Sequence, residues 1–147
     1  MAGIANGSFP IKIGTTEYQA NVLTDRDYDD LTGYLQSRYI AMAVEASKNL
    51  PKTEADKLVK LAISGAFEVE WGSVDSAKII STREGVTRLG WQMVRRSHPD
   101  VTFERFKNDA EKDIVIATEN IINAYNFLNP LPNKEDVGGS STENNKS

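Results

Sequence analysis

The spacing of apolar residues changes once along the chain, and this change restricts the fold more than any other sequence feature. Over residues 9–13 and 18–22, apolar and polar side chains alternate around a Gly-Thr-Thr turn, which is the pattern of a β-hairpin. From Tyr28 onward, apolar residues recur at spacings of three and four, as in amphipathic helices. We therefore predict a mainly α fold, in which an N-terminal β-hairpin, residues 9–23, packs on a bundle of about five helices. Because an isolated hairpin is marginal in water, it must pack on those helices or extend a neighbour's sheet.

Capping and stop signals place the first two long helices. Thr24 is the predicted N-cap of the first, because the acidic run DRDYDD follows it and carboxylates stabilise a first helical turn. Pro51 ends that helix, and Thr53 is predicted to cap the second, which closes at Trp71-Gly72. The following segment, residues 73–80, fits either a short helix or an extended connector. The predicted buried face of the second helix comprises Leu58, Leu61, Ala62, Ala66 and Val69.

The same signals place the later helices. Ser81 and Glu84 match the S-x-x-E capping box, which predicts the start of a third long helix, and His98-Pro99 stops it. Thr102 is predicted to cap a short helix, and a last long helix ends at Asn129-Pro130.

Length and composition indicate a single domain with a polar tail. The chain has 147 residues, enough for one real core but not for two independent ones. Residues 131–147 contain too few apolar side chains to offset the entropy lost on ordering. We therefore predict one mostly helical domain over residues 1–130 and a disordered tail over residues 131–147.

Several classes of protein fit the sequence poorly. The net charge is −4, with 21 acidic and 17 basic residues, so no nucleic-acid partner is expected. With no cysteine and a single histidine, His98, we predict no catalytic residue, no cofactor and no metal site. The acidic run from Asp25 does not form a calcium loop, because its sixth and twelfth positions are Asp30 and Gln36. We also expect no signal peptide and no membrane-spanning segment.

The segment STREGVTRLGWQMVRRSHPD, residues 81–100, carries the candidate binding residues. Val86, Leu89 and Met93 share one helical face and are predicted to lie in the core. The nearly opposite face is also apolar, so the helix is either sandwiched inside the domain or meets a partner there. Tryptophan and arginine are enriched at protein–protein interfaces. The candidate partner-binding residues are Trp91, Arg88, Arg95 and Val94.

Three stretches of this sequence resemble a family of small proteins of tailed bacteriophages. The stretches are the helix start TDRDYDDL, the helix TREGVTRLGW and its exit RRSHPDVT, and the resemblance spans roughly residues 9–128. The family comprises tail assembly chaperones and related tail-morphogenesis proteins. The resemblance implies a mostly helical, non-enzymatic domain that binds the tape-measure protein before the tail tube polymerises, in the host cytoplasm.

Two other functions remain open at this point. One is a virion structural or head–tail adaptor protein, which would stay in the particle. The other is a small DNA-binding regulator. The sequence predicts no membrane partner and leaves homo-oligomerisation open.

Overall fold

The computed structural model describes residues 8–129, which form one β-hairpin followed by six helices. The strands are β1 (Ser8–Ile13) and β2 (Thr16–Asn21). The helices are α1 (Asp25–Ser47), α2 (Lys52–Ala66), α3 (Val74–Ile80), α4 (Arg83–Val94), α5 (Phe103–Glu111) and α6 (Ile114–Leu128). The predicted mainly α fold with an N-terminal hairpin is confirmed. The predicted disordered tail, residues 131–147, lies outside the described residues.

The hairpin packs on helices, which decides between the two alternatives left by the sequence. Its strands are antiparallel with Ile11 opposite Tyr18, and Gly14 turns the chain with a φ of 63° that favours glycine. The inward-facing side chains Ile11, Ile13 and Tyr18 are buried, as their alternation predicts. They contribute to the main core together with α4, α5 and α6.

Side chains from α6 and from the turn after α4 also cover both outer edges of the hairpin. On the β1 side, Asn120 donates a hydrogen bond to the carbonyl of Lys12 (2.8 Å), and Pro10 has no N–H group to offer. On the β2 side, the N–H of Gln19 donates to Nε2 of His98 (2.9 Å). Another strand adds to a sheet edge through unpaired backbone N–H and C=O groups. The contacts at Lys12 and Gln19 therefore block strand addition at those two positions.

Helix α4 lies at the centre of the fold. The hairpin and the helices α1, α3, α5 and α6 all pack against it. A β-carbon added at Gly90 would lie 2.7 Å from Cδ1 of Ile121 and 3.0 Å from Cζ of Phe106. Gly90 therefore allows α5 and α6 to approach the backbone of α4 closely, which a larger side chain would prevent.

The helix starts confirm two predicted caps and correct two others. At α1, the side chain of Thr24 accepts from the N–H of Asp27, whose carboxylate accepts in return from the N–H of Thr24. Thr102 caps α5 as predicted. The cap of α4 is Thr82, one residue after the predicted Ser81, because the Ser81 backbone still closes the last turn of α3.

The cap predicted for the second helix is wrong in the same way. Helix α2 begins after Pro51, and Thr53 lies inside its first turn. Proline is compatible with a helix start because its φ is already near the helical value and the first N–H groups are unpaired in any case.

Two of the predicted helix ends are also corrected. Helix α2 ends at Ala66, and Trp71-Gly72 lies in the connection to α3, where Gly72 has a φ of 95°. Helix α4 ends at Val94, and hydrogen-bonded turns continue the chain to His98. The undecided segment 73–80 contains the short helix α3, whose N-cap is Ser73.

The buried side chains form one main core and a small second cluster. The main core joins the hairpin to α1, α4, α5 and α6, and it includes the predicted residues Val86, Leu89 and Met93. The second cluster, Leu35, Val69 and Ile79, lies between α1, the α2–α3 connection and α3. None of the helices within residues 8–129 combines the length and the hydrophobicity that a membrane span requires.

The core assignment predicts opposite results for one substitution at two positions. Leu89 is buried, so Leu89→Ala should lower the free energy of unfolding by roughly 2–5 kcal/mol. Leu61 is 71% exposed, so Leu61→Ala should change it by about 0.5 kcal/mol or less. Urea unfolding of both variants measures this difference. Equal effects at the two positions would contradict the assignment.

Candidate protein-interaction surfaces

The second apolar face of α4 lies inside the molecule. Val94 is fully buried and Thr87 nearly so, although both lie on the side opposite Leu89. Of the two alternatives for this helix, the sandwiched arrangement is therefore the correct one. The prediction that Val94 contacts a partner is wrong, because no part of its side chain reaches the surface.

Trp91 is half-buried and connects α4 to the start of α5. Its indole Nε1 donates a hydrogen bond to the carbonyl of Val101 (2.9 Å). The rings of Trp91 and Phe103 pack edge to face, with their centroids 6.0 Å apart. The polar group of the indole is thus already satisfied within the chain, and the ring closes the α4–α5 junction.

Arg88 is also held by contacts within the domain. Its guanidinium carbon lies 3.7 Å from the ring centroid of Phe103 and 5.3 Å from that of Tyr34. The Nε atom of Arg88 is buried and has no hydrogen-bond acceptor among residues 8–129. Contact with aromatic faces therefore holds this side chain between α1 and α5.

Arg95 ties the end of α4 to the start of α1. Its Nη2 lies 3.0 Å from Oδ1 of Asp27 and 2.6 Å from Oδ2 of Asp30. Asp27 is buried and also belongs to the N-terminal cap of α1. One carboxylate thus serves both the local helix start and a long-range ion pair, and removing Arg95 would leave that charge without its partner.

A groove beside Trp91 is what remains exposed of the predicted binding edge. Arg26, Arg96 and Pro99 line it together with Trp91 and Arg95. The lining includes three arginines and one acidic residue, Asp27, which is paired with Arg95. A partner-binding role for Trp91, Arg88 and Arg95 remains a prediction.

His98 has a structural contact that accounts for its position. Its Nε2 accepts the hydrogen bond from Gln19, and its ring meets the Tyr18 ring nearly at right angles, with centroids 5.1 Å apart. The imidazole therefore covers the edge of β2. Within residues 8–129, no group of three acidic or histidine side chains is arranged to hold a metal ion.

A buried ionisable pair that the sequence did not predict joins the hairpin to α5. The hydroxyl of Tyr18 donates to the carboxylate of Asp109, which lies 91 residues further along the chain. The ammonium group of Lys112 lies 3.3 Å from the other oxygen of Asp109. No spacing rule could have found the pair, because it exists only once the hairpin has docked on α5.

The environment of this pair shifts the pKa of both groups. Burial, followed by the hydrogen bond to Asp109, raises the pKa of Tyr18 from 10.0 to about 12. Burial alone would raise the pKa of the Asp109 carboxyl, but the hydrogen bonds from Tyr18 and Lys112 outweigh it and lower that pKa. The pair is therefore stable as a neutral phenol next to a charged carboxylate.

The largest group of exposed apolar side chains lies on a helical hairpin that we call the arm, residues 37–67. It comprises the second half of α1, the connecting loop and α2, and α2 packs almost only on α1. No side chain between Gln36 and Leu61 is buried. Phe67 and Leu61 are 78% and 71% exposed, although Leu61 was predicted to be buried. The other exposed large apolar residues of the arm are Met42, Val44, Leu50 and Ile63.

The arm exposes apolar surface because α1 is longer than the core it covers. Leu31 and Leu35 are buried against the body of the protein. Met42 follows Leu35 by seven residues and so lies on the same face of the helix, but it is half exposed. The apolar face of α1 that packs on the body of the protein thus continues along the part of the helix that is exposed to solvent.

Helix α6 exposes a second apolar surface. Ala117, Ile121 and Ala124 face the core, whereas Val115 and Ile122 point outward on one flank of the helix. Ile116 and Phe127 are exposed on the other flank, where the ring of Phe127 lies 5.0 Å from that of Phe9.

Comparisons of the chain with protein-family models, with curated proteins and with solved structures gave no match.

Replacing Trp91 tests whether it is chiefly a structural residue. Trp91→Ala should lower the free energy of unfolding by about 3 kcal/mol, because it removes a large ring and the hydrogen bond to Val101. Trp91→Phe, which keeps most of the ring packing, should cost clearly less. Denaturant unfolding of both variants gives the comparison. A variant without the ring that is as stable as the wild type would show that Trp91 does not support the α4–α5 junction.

The buried pair and the other shifted tyrosines predict a dependence of stability on pH at both extremes. The lowered pKa of Asp109 stabilises the fold above its ordinary value of 3.8, and this contribution is lost as the pH falls through the lowered pKa. The raised pKa of Tyr18, Tyr28 and Tyr34, each about 12, stabilises the fold below pH 10.0, and this contribution is lost as the pH rises towards 12.

Tyr18→Phe should therefore flatten the pH dependence of the unfolding free energy at both ends. The substitution removes one of the three tyrosine hydroxyls whose pKa is raised. It also removes the hydrogen bond that favours the charged form of Asp109. Urea unfolding across the acid and alkaline ranges measures the profile. Identical profiles for wild type and variant would mean that the pair does not control the titration.

Proposed function

We propose that the protein is a non-enzymatic tail assembly chaperone of a tailed bacteriophage, which binds the tape-measure protein through the exposed apolar residues of the arm. The resemblance of residues 9–128 to that family suggests the class of protein. The observation that carries the proposal is the arm itself, because six large apolar side chains are exposed on one helical hairpin.

The arm has the chemistry that a helical, apolar client requires. Exposed apolar patches on a soluble protein commonly mark sites for other proteins. A helical hairpin offers an apolar surface on which an amphipathic helix can lie with its apolar face inward. A tape-measure protein consists of long hydrophobic helices, which would otherwise associate with one another before the tail tube assembles.

The geometry changes which residues are assigned to binding. The sequence suggested the edge around Trp91, but Arg88 and Arg95 use their charged groups within the domain. Leu61 and Phe67 make few contacts in the monomer and are free to contact a partner. We therefore assign the client surface to the arm, and we place its action in the host cytoplasm during assembly.

Binding of the tape-measure protein tests this assignment. The double variant Leu61→Glu and Phe67→Glu should weaken binding by about tenfold or more, because two large apolar anchors become charged. Val74→Glu is the matched control, since Val74 is 74% exposed but lies on α3, and it should bind like the wild type. Co-expression with segments of the tape-measure protein, followed by calorimetry on the soluble complex, provides the measurement.

Purified virions separate the proposal from its main alternative. A chaperone leaves before the particle is complete, so mass spectrometry of virions should not detect the protein. Its presence in a fixed ratio to tail proteins would favour a virion structural or head–tail adaptor protein. Unchanged client binding by the arm variant would reject the arm as the client surface.

A further inference from the structure

The outer edge of β2 and the residue after it are held by the turn that follows α4. Three polar contacts of this junction join Asn21 to Ser97, Val22 to Arg96, and Gln19 to His98. Of the side chains in these contacts, only the imidazole of His98 changes its charge between about pH 5 and pH 8. The junction therefore combines contacts that are constant in this range with one that depends on the proton concentration.

The contact at Gln19 exists only while the ring of His98 is neutral. A backbone N–H can only donate, so the Nε2 atom that lies 2.9 Å from the nitrogen of Gln19 must offer a lone pair. An imidazolium ring carries a proton on both nitrogens and accepts no hydrogen bond. Proton uptake by His98 would bring two N–H groups face to face, so the ring would have to leave the edge of β2.

Groups on the neighbouring elements do not replace the lost hydrogen bond. From β2, the ring of Tyr18 lies against the imidazole with centroids 5.1 Å apart, whereas Glu17 is exposed to solvent. Tyr18 is uncharged below pH 10.0, because burial raises its pKa to about 12. From α5, Arg105 and Asp109 act with opposite signs on the hydroxyl of Tyr18, and Asp109 is already paired with that hydroxyl and with Lys112.

The segment that carries His98 also offers no partner to a protonated ring. The guanidinium of Arg96 donates to the carbonyl of Val22, and Asp100 is exposed. Within residues 8–129, no carboxylate forms an ion pair with His98. The charged ring thus loses the hydrogen bond from Gln19 and gains no ion pair in the closed position.

We propose that His98 is a pH-sensitive latch on the hairpin, whose neutral ring covers the outer edge of β2 and whose protonated ring releases it. Free imidazole takes up a proton at about pH 6.5, so the latch opens below neutral pH. The contacts of Asn21 and Arg96 persist, so the hairpin stays docked while its edge opens. The released N–H of Gln19 is then available to water or to another strand. The latch does not depend on the proposed client.

Hydrogen exchange at the amide of Gln19, followed by NMR, measures the latch. The quantity to compare is the protection factor, because it removes the effect of pH on the intrinsic exchange rate. In the wild type, protection at Gln19 should fall by about tenfold or more between about pH 8 and about pH 5, since each pH unit below the imidazole value favours the open, protonated ring about tenfold. The amide of Leu89, in the core, should keep its protection.

Two variants separate proton uptake from the loss of the side chain. His98→Gln provides an amide oxygen that accepts a hydrogen bond at every pH, and His98→Leu provides no acceptor at any pH. The decisive quantity is the change of Gln19 protection with pH, which both variants should lack. Urea unfolding near pH 7 confirms that each variant is folded.

The single histidine of the chain makes the wild-type measurement unambiguous, because its ring signals need no separate assignment. The loss of protection at Gln19 should follow the titration of these ring signals. Equal protection of Gln19 at the two pH values in the wild type would overturn the latch. A fall in His98→Gln as large as in the wild type would overturn it as well.

Discussion

The position of α4 determines the arrangement of the other elements. Its twelve residues carry apolar side chains on two nearly opposite faces, so the helix is stable only where protein covers both of them. The hairpin and four other helices provide that cover, and Gly90 lets two of them approach closely. The buried hydroxyl of Thr87 donates to the carbonyl of Arg83 (2.8 Å), and Arg95, just after the helix, pairs with Asp27. A helix of this kind leaves little of its surface for a partner.

The same arrangement explains why α2 stands apart. Five elements pack against α4, whereas α2 packs mainly on α1. Helix α1 is long enough to leave the core, since 23 residues at 1.5 Å per residue extend well past the positions of Leu31 and Leu35. Its free half supports α2 along one side and leaves the other side of α2 in solvent. The arm therefore forms because other elements already surround α4 and because α1 extends past the core. The exposed apolar residues of the arm need an explanation outside the monomer.

Sequence patterns predicted which residues share a face but not which faces are covered. Spacings of three and four correctly placed Val86, Leu89 and Met93 in the core, and they also put Leu61 with the buried residues of α2. Leu61 was predicted to be buried and is exposed, whereas Val94 was predicted to contact a partner and is buried. Both predictions failed because the burial of a helix face depends on which neighbouring elements pack against it. Local rules found Thr24 as a cap, since the residues involved are three apart, and missed Tyr18 with Asp109, since only the fold brings them together.

The one-sided support of α2 also makes the arm responsive to partners. Isolated helices of about 12–15 residues are marginal in water, so the 15 residues of α2 depend on packing against α1 for their helical structure. Segments with few buried contacts open locally at low free-energy cost. Any partner that covers the solvent face of α2 binds the folded helix and stabilises it by mass action. Under the function we propose, a tape-measure helix is such a partner, so client binding and the folding of α2 would be coupled.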